Sequence, residues 1–309
     1  LPFVRWETLH TAVANSYSGI MQKNNLQMLR LTQNIYRLFT TMDTAFQKYK
    51  LMKKIIVVLL GVTLITTSAF AQQSREDSLN KEAAKTEIWE PKPTKVEPGK
   101  TPSDAPSDAI VLYNGKNLDA WHRLGGGKAG WKIEKDGTLT VVKGSGSIET
   151  NQAFGSCQLH IEWRSPAIIK QSGQYRANSG VFFMGKYEIQ ILDSYTNQTY
   201  VNGQAGALYK QHIPLVNATK KPGEWQTYDI IFTAPQFYAD GKVQVPGRFT
   251  VLHNGVLVQN NVDIKGTIQW IGPSVYEAHP SKLPFYLQDH GFDGGSPVSF
   301  RNIWIRPLD

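Results

Sequence analysis

The chain has 309 residues, with 33 Lys and Arg against 25 Asp and Glu, a formal charge of +8, and a single cysteine. The charge is uneven: residues 1–71 hold eight basic residues against Glu7 and Asp43, which leaves +2 for all the rest. That remainder excludes a basic surface built for nucleic acid or anionic membrane, and a lone Cys157 excludes an internal disulfide.

Residues 1–51 show no caps, turns or sustained periodicity from which a domain can be assembled. At Met52 the character changes. Met52, Lys53 and Lys54 give a positive start, residues 55–65 an apolar run, and Ala69-Phe70-Ala71 a small-x-small site before Gln72, the pattern of a secretory leader over 52–71. The run is short against the roughly 20 residues of a membrane span. The expectation is a mature protein starting near Gln72, periplasmic or secreted, without stable membrane insertion, and residues 1–51 lying upstream of the true start. Residues 72–107 are polar and carry Pro91, Pro93, Pro98, Pro102 and Pro106. They read as a flexible or partly extended linker, with room for a short helix around 77–85, and as dispensable for folding.

From Asp108 to Asp309 the composition turns globular. Candidate strands are 110–113, 131–133, 138–142, 157–163, 179–184, 187–192, 227–232, 248–253, 256–259, 285–288 and 300–305. Asn-Gly, Asp-Gly and Gly-rich turns separate them, and no long helical period appears. The fold class is therefore all-β, an antiparallel β-sandwich or jelly roll. Asn254-Gly255 predicts a type I′ hairpin turn. Cys157 alternates with Leu159, Ile161 and Trp163, which predicts a buried thiol and not a nucleophile. Gln158, His160, Glu162 and Arg164 take the opposite face, either an extension of a polar cleft or a solvated surface.

The stretch 178–195, NSGVFFMGKYEIQILDSY, carries the densest functional signal. A two-residue turn at Gly185-Lys186 predicts Met184 opposite Tyr187, Phe183 opposite Glu188 and Val181 opposite Gln190. Phe182, Tyr187, Ile189 and Ile191 then face the core, and Glu188 and Gln190 share the other face with Phe183 and Val181. Carboxylate and amide beside an aromatic surface suit a sugar ring. The same pattern also describes the solvated face of an antiparallel strand. Asp193 joins Glu188 on its face only if an extra residue bulges the strand. Gln288, Asp289 and His290 end a strand at a Gly-rich loop, a place for functional groups, and His290 is a candidate acid or base. HExxH, GxSxG, Walker and dinucleotide motifs and paired cysteines are absent, which sets aside the chemistries they support.

LYNGKNLDAW (112–121), ANSGVFF (177–183), YEIQILDSY (187–195), GALY (206–209), PGEWQTYDIIFTAP (222–235), VLHNGVLV (251–258), LQDHG (287–291) and VSFRNIWIRPL (298–308) follow one another through the domain. On these segments the chain resembles the 3-keto-disaccharide hydrolase domain family, once a domain of unknown function. The resemblance implies a concanavalin A-like jelly roll acting on a small carbohydrate. The fold is also similar to that of laminarinase-type glycosidases, whose catalytic strand reads Glu-x-Asp-x-x-Glu. Glu188, Gln190 and Asp193 keep that spacing, but Gln190 replaces the middle carboxylate and Asp193 is a methylene shorter than the final acid, which points away from ordinary double displacement.

For a 3-keto sugar the resemblance implies another route. The ketone acidifies the C2 proton, elimination expels the C1 oxygen, and hydration completes a net hydrolysis. Glu188 is then the expected base, His290 or Asp193 the acid, and Gln190, Asn178 and Gln288 ligands of the sugar or enolate. A divalent ion is compatible with polarising the ketone, though no ligand spacing demands one. The rival classes are a non-catalytic glycan-binding module, with Trp121, Tyr209, Trp270 or Tyr276 as stacking platforms, and an ordinary glycosidase.

Overall fold

The computed structural model describes residues 44–291 and 297–309, together with 26, 27, 29, 30, 33, 34, 37, 38, 40 and 41. Its contacts divide the chain into two units, Leu1–Pro93 and Thr94–Asp309. The stretch read as upstream of the leader, 1–51, falls largely outside the described residues. In the first unit, α1 (Ala45–Ala84) begins at Thr44, whose side chain accepts from the Gln47 N–H, the usual role of an N-cap hydroxyl. The apolar run 55–65 lies inside this helix, which continues through the positions where a shorter helix was expected. Among the described residues no helix is long and apolar enough to cross a membrane.

Among the described residues the second unit holds fifteen short strands. They are β1 (Ile110–Tyr113), β2 (Trp121–Arg123), β3 (Lys132–Ile133), β4 (Leu139–Thr140), β5 (Ile148–Phe154), β6 (Cys157–Arg164), β7 (Ser179–Phe183) and β8 (Tyr187–Ile191). There follow β9 (Gln226–Thr233), β10 (Gln236–Phe237), β11 (Val243–Val245), β12 (Arg248–His253), β13 (Val256–Asp263), β14 (Leu283–Leu287) and β15 (Ser299–Pro307). One sheet runs β13-β12-β9-β6-β15-β4-β3, with β1 also paired to β15; a second runs β2-β5-β14-β7-β8; β10 and β11 form a separate ribbon. The pairings are antiparallel, as the alternating patterns require.

The two large sheets join through their apolar faces. Phe183 of β7 lies 5.0 Å from the rings of both Phe232 on β9 and Phe249 on β12, and 5.6 Å from Phe285 on β14, so one side chain packs against three strands of two sheets. Tyr228 of β9 donates to the Gln190 carbonyl of β8 at 2.8 Å, which satisfies both groups inside the core. Cys157 is buried in this core and burial raises its thiol pKa, in keeping with an inert residue. The Asn254-Gly255 turn has φ of 54° and 78° and joins His253 to Val256 across a two-residue loop, as expected.

The hairpin of β7 and β8 departs from expectation by one residue. Its loop holds three residues, 184–186, closed by Lys186 N–H donating to the Phe183 carbonyl at 3.0 Å. Met184 and Gly185 both take positive φ, 55° and 64°, and the left-handed Met184 is what the two-residue expectation missed. Phe183 therefore opposes Tyr187, Phe182 opposes Glu188 and Gly180 opposes Gln190. Val181 and Phe183 turn into the core with Tyr187, Ile189 and Ile191, while Phe182 moves to the face of Glu188 and Gln190. The expected bulge does not occur within the strand pair: register is regular from Phe183/Tyr187 to Ser179/Ile191, and Asp193 lies beyond its end.

Gln158, His160, Glu162 and Arg164 lie on the large sheet and so do not extend the face of Glu188. His160 is bonded to Asp229 at 2.6 Å and stacks on Trp304. Burial pulls its pKa down, but Asp229 and Glu162 push it up further, to about 9. Residues 94–107 belong to this compact unit. The Ser103 carbonyl accepts from Trp304 Nε1 at 2.9 Å and from Asn302 Nδ2 at 2.8 Å. Deleting 72–93 is expected to leave the unfolding transition of the β-unit in place. Extending the deletion to 107 removes that shared acceptor, the partner of the Trp304 indole N–H, and should cost about 1–3 kcal/mol, measured by denaturant titration of both truncations.

Candidate active site

Directly opposed residues of an antiparallel sheet project to one side, and the five-stranded sheet places one such row across its whole width. His122 of β2 opposes Glu149 of β5, which opposes Tyr286 of β14, then Phe182 of β7, then Glu188 of β8. The row faces away from the core side chains Ile148, Phe285, Val181 and Ile189. Phe182 and Tyr286 stack with ring centres 4.1 Å apart and an interplanar angle of 12°, making an aromatic centre between two carboxyl groups.

Glu188 is only 4 % exposed. Burial raises its pKa well above the ordinary 4.5, because a carboxylate there loses its hydration. The Gln190 amide lies 2.9 Å from Glu188 Oε1, and with its nitrogen turned that way it donates both to Glu188 and to the Ser179 carbonyl at 3.2 Å. The backbone of 206–209 closes the free edge of β8: Gly206 N–H donates to the Gln190 carbonyl, Gln190 N–H to Ala207, and Tyr209 N–H to Glu188. An exposed strand edge is thereby paired. Tyr209 and Tyr200 share a hydrogen bond of 2.7 Å. Burial is the main cause that raises both phenols, and the charge of Glu188 adds to it, so both rings lie within its field.

Gly180 has no side chain because Glu188 occupies the space. A Cβ there meets Glu188 Oε1, and Phe182 at 2.5 Å, while the backbone itself is not in the left-handed region. Gly180→Ala is therefore expected to displace the carboxyl and the Phe182–Tyr286 stack, costing about 1–3 kcal/mol of stability and most of the turnover. Stability and kcat measured on the same preparation check it.

From Glu188 the polar network continues through Gln174, whose Oε1 lies 3.0 Å from the Gln190 side-chain amide and whose Nε2 donates to the Thr199 hydroxyl and the Gly203 carbonyl. Asn178 Nδ2 donates to the Gln174 carbonyl at 2.8 Å. A pocket opens here, with Gln174, Asn178, Asp289 and His290 in its wall. Asn178 Oδ1 and Gln288 Oε1 are buried acceptors without a donor among the described residues, and Gln288 joins the face through its N–H on the Gly180 carbonyl. Unmet acceptors of this kind are costly, and a hydroxyl of a ligand meets them. Burial lowers His290 to about 4, opposed by Asp289, so the imidazole is neutral at pH 7.

The expected site residues thus separate. Glu188 and Gln190 touch one another, Asn178 and His290 line the adjoining pocket, Gln288 neighbours Gly180, and Tyr209 borders Glu188. Asp193 stands apart: it is buried in an ion pair with Arg176 at 2.7 Å and accepts from the Tyr195 N–H. Of the stacking candidates, Trp121 is in the core, its Nε1 on the Leu112 carbonyl, and Tyr276 bonds the Ile264 carbonyl and Gly247 N–H. Trp270 is largely exposed, its carbonyl accepting from Lys210.

Of the row, only Glu188 was anticipated on this face: Phe182 was expected in the core, Tyr286 was not singled out, and neither were His122 and Glu149. Each follows a buried apolar residue, Trp121 and Ile148, and that single alternation was the only signal in the sequence. Among the described residues no group of three or more His, Cys, Asp or Glu side chains is placed to hold a metal ion.

A two-sheet jelly roll bearing carboxyl, amide and aromatic groups on one outer face is the architecture of carbohydrate-active proteins, and the comparisons agree. The chain belongs to the 3-keto-α-glucoside-1,2-lyase-like domain family, whose model matches residues 108–306. A crystal structure from Parabacteroides distasonis ATCC 8503, described as a candidate glycosyl hydrolase, is 51 % identical, covering 72 % of this chain and 95 % of its own, with a TM-score of 0.69. A second structure from the same organism with the same description is 22 % identical, covers 70 % of this chain and 100 % of its own at a TM-score of 0.50, and shows the fold alone. No curated protein matched the chain.

Proposed function

We propose that the protein cleaves the glycosidic bond of 3-keto-glycosides by elimination followed by hydration. The observation that carries this is the environment of Glu188, a carboxyl of raised pKa beside an amide and an aromatic pair, in a domain of the family named for a lyase on such sugars. Glu188 takes the C2 proton. The C2–H electrons enter the enolate of the 3-ketone, whose collapse forms the C1–C2 double bond and expels the C1 oxygen. Net, one proton moves from C2 to the departing oxygen, and a carboxyl whose pKa burial has raised suits both halves of that transfer. His290, neutral at pH 7, does not serve as the resting proton donor and instead orients substrate from the pocket wall. Asn178 and Gln288 accept from sugar hydroxyls, and Gln190 donates toward Glu188 or the enolate, the kind of preorganised donor that stabilises developing charge. Asp193, committed to Arg176, is structural.

The test is incubation with a 3-keto-glucoside and its unoxidised parent, followed by mass analysis, with C2 exchange followed in deuterated solvent. Cleavage of the keto compound alone, with exchange that needs Glu188, is the expected result. Equal cleavage of both means an ordinary glycosidase, and binding without turnover a lectin. The leader pattern at 52–71 supports export, which amino-terminal sequencing of the mature protein checks: a start near Gln72 is expected.

A further inference from the structure

The far end of the cross-sheet row carries a second polar group that the proposed reaction does not use. His122 Nε2 lies 3.0 Å from Glu149 Oε1, and His122 Nδ1 lies 2.8 Å from Asn151 Oδ1. Asn151 Nδ2 is committed to the Asp119 carbonyl at 2.7 Å, so its oxygen is the end that meets the imidazole. Two pieces of backbone build this arrangement. Strict alternation along β5 sets Asn151 two residues beyond Glu149 on the same outer face, next to His122. The loop 124–128 then lets Gly125 N–H reach Glu149 Oε1 at 3.4 Å, with Gly125, Gly126 and Gly127 all at positive φ.

The His122 and Glu149 side chains are 35 % and 18 % exposed, more open than Glu188 at 4 %. Tyr286 stands between the two ends: after burial, the charges of Glu188 and Glu149 are the causes that raise its phenol. Three strand spacings separate β5 from β8, about 14 Å between the backbones of Glu149 and Glu188. That is beyond the roughly 5–9.5 Å between carboxyls that act on one glycosidic bond. Glu149 is thus no partner of Glu188 in bond cleavage. The span exceeds one pyranose ring and fits two.

We propose that His122, Glu149 and Asn151 form a subsite for the second sugar of a disaccharide, the departing residue, whose hydroxyls bond to Glu149, held in place by His122 and Asn151, beside Tyr286. This deepens the function proposed above and rests on Glu188 marking the cleaved bond. A row of acceptor, imidazole and amide wasted on an apolar aglycone selects a polyhydroxylated one, because polar groups left unpaired by a ligand cost affinity.

The experiment compares a glucose disaccharide with methyl glucoside, each as the 3-keto compound and as the unoxidised parent. Dissociation constants and, for keto forms, kcat and KM are measured on wild type, Glu149→Gln and His122→Ala. Wild type is expected to favour the disaccharide by about tenfold or more, the worth of one or two charge-assisted hydrogen bonds. In both variants that preference should fall to near unity with kcat for methyl 3-keto-glucoside unchanged and melting temperatures close to wild type. Loss of kcat on both substrates overturns the subsite by showing a role in chemistry, and a preference absent from wild type or intact in both variants overturns it too. If the preference behaves as expected for parent and keto forms alike while neither form is cleaved, the subsite stands and the reaction proposed above is what fails.

Discussion

Glu188→Gln is expected to reduce turnover of a 3-keto-glycoside by about 10² to 10⁴, the usual contribution of a positioned proton-transfer group, and to make the protein more stable at neutral pH. The amide keeps the shape of the side chain beside Gln190 and Phe182 but cannot accept the proton. The stability gain follows from linkage. Below pH 4.5, the ordinary value for a glutamate, both folded and unfolded chains hold the proton, and variant and wild type should melt together. Above it the unfolded chain releases the proton while the folded chain, with its raised pKa, resists doing so. Wild type therefore loses stability relative to the variant as pH rises toward the folded value. Melting curves from pH 4 to 8 on both proteins show it; a variant that melts lower throughout, or that turns over normally, removes Glu188 from its role.

Arg176→Met should have the largest effect on folding. Asp193 is 1 % exposed, and Arg176 is its charged partner, Nε to Oδ2 at 2.7 Å. Removing one member of a buried pair leaves the other uncompensated, which costs about 3–5 kcal/mol. Asp193→Asn removes the charge that Arg176 neutralises and should also destabilise, with activity per folded molecule retained. A catalytic Asp193 gives the reverse pattern, full stability with no turnover. Chemical denaturation and kcat on the same two variants separate the cases.

Much of the sandwich was legible because its strands alternate cleanly: CQLHIEW at 157–163 and RFTVLH at 248–253 announce one buried and one outer face. Glu188 and Gln190 were legible together for the same reason, since alternation within one strand survives an error in its partner's register. The register itself was not, because it depended on a left-handed Met184, which side-chain sterics disfavour. Strands β2 and β5 escaped notice. WHR is three residues long, and IETNQAF carries Asn and Gln where β-prone residues are expected, so neither shows a period. Those two strands bear His122 and Glu149, and these members of the cross-sheet row therefore emerged only when distant segments were paired. The Asp193–Arg176 bond, spanning the hairpin, has no local signature at all.

The position of β15 has a consequence for how the domain comes into being. This strand, the most C-terminal of those described, lies inside the larger sheet with β6 along one side and β1 and β4 along the other. Until the ribosome has released residues 299–307, β6 has an open edge and β1 has nowhere to pair, so the sheet exists as two fragments with raw hydrogen-bonding borders. Such long-range closure is slow compared with hairpin formation. The nascent chain is thus held in an incomplete state until that strand is made, and a chain cut short before Ser299 should be met by chaperones and proteases as an unfinished sheet, however well its central hairpin has formed.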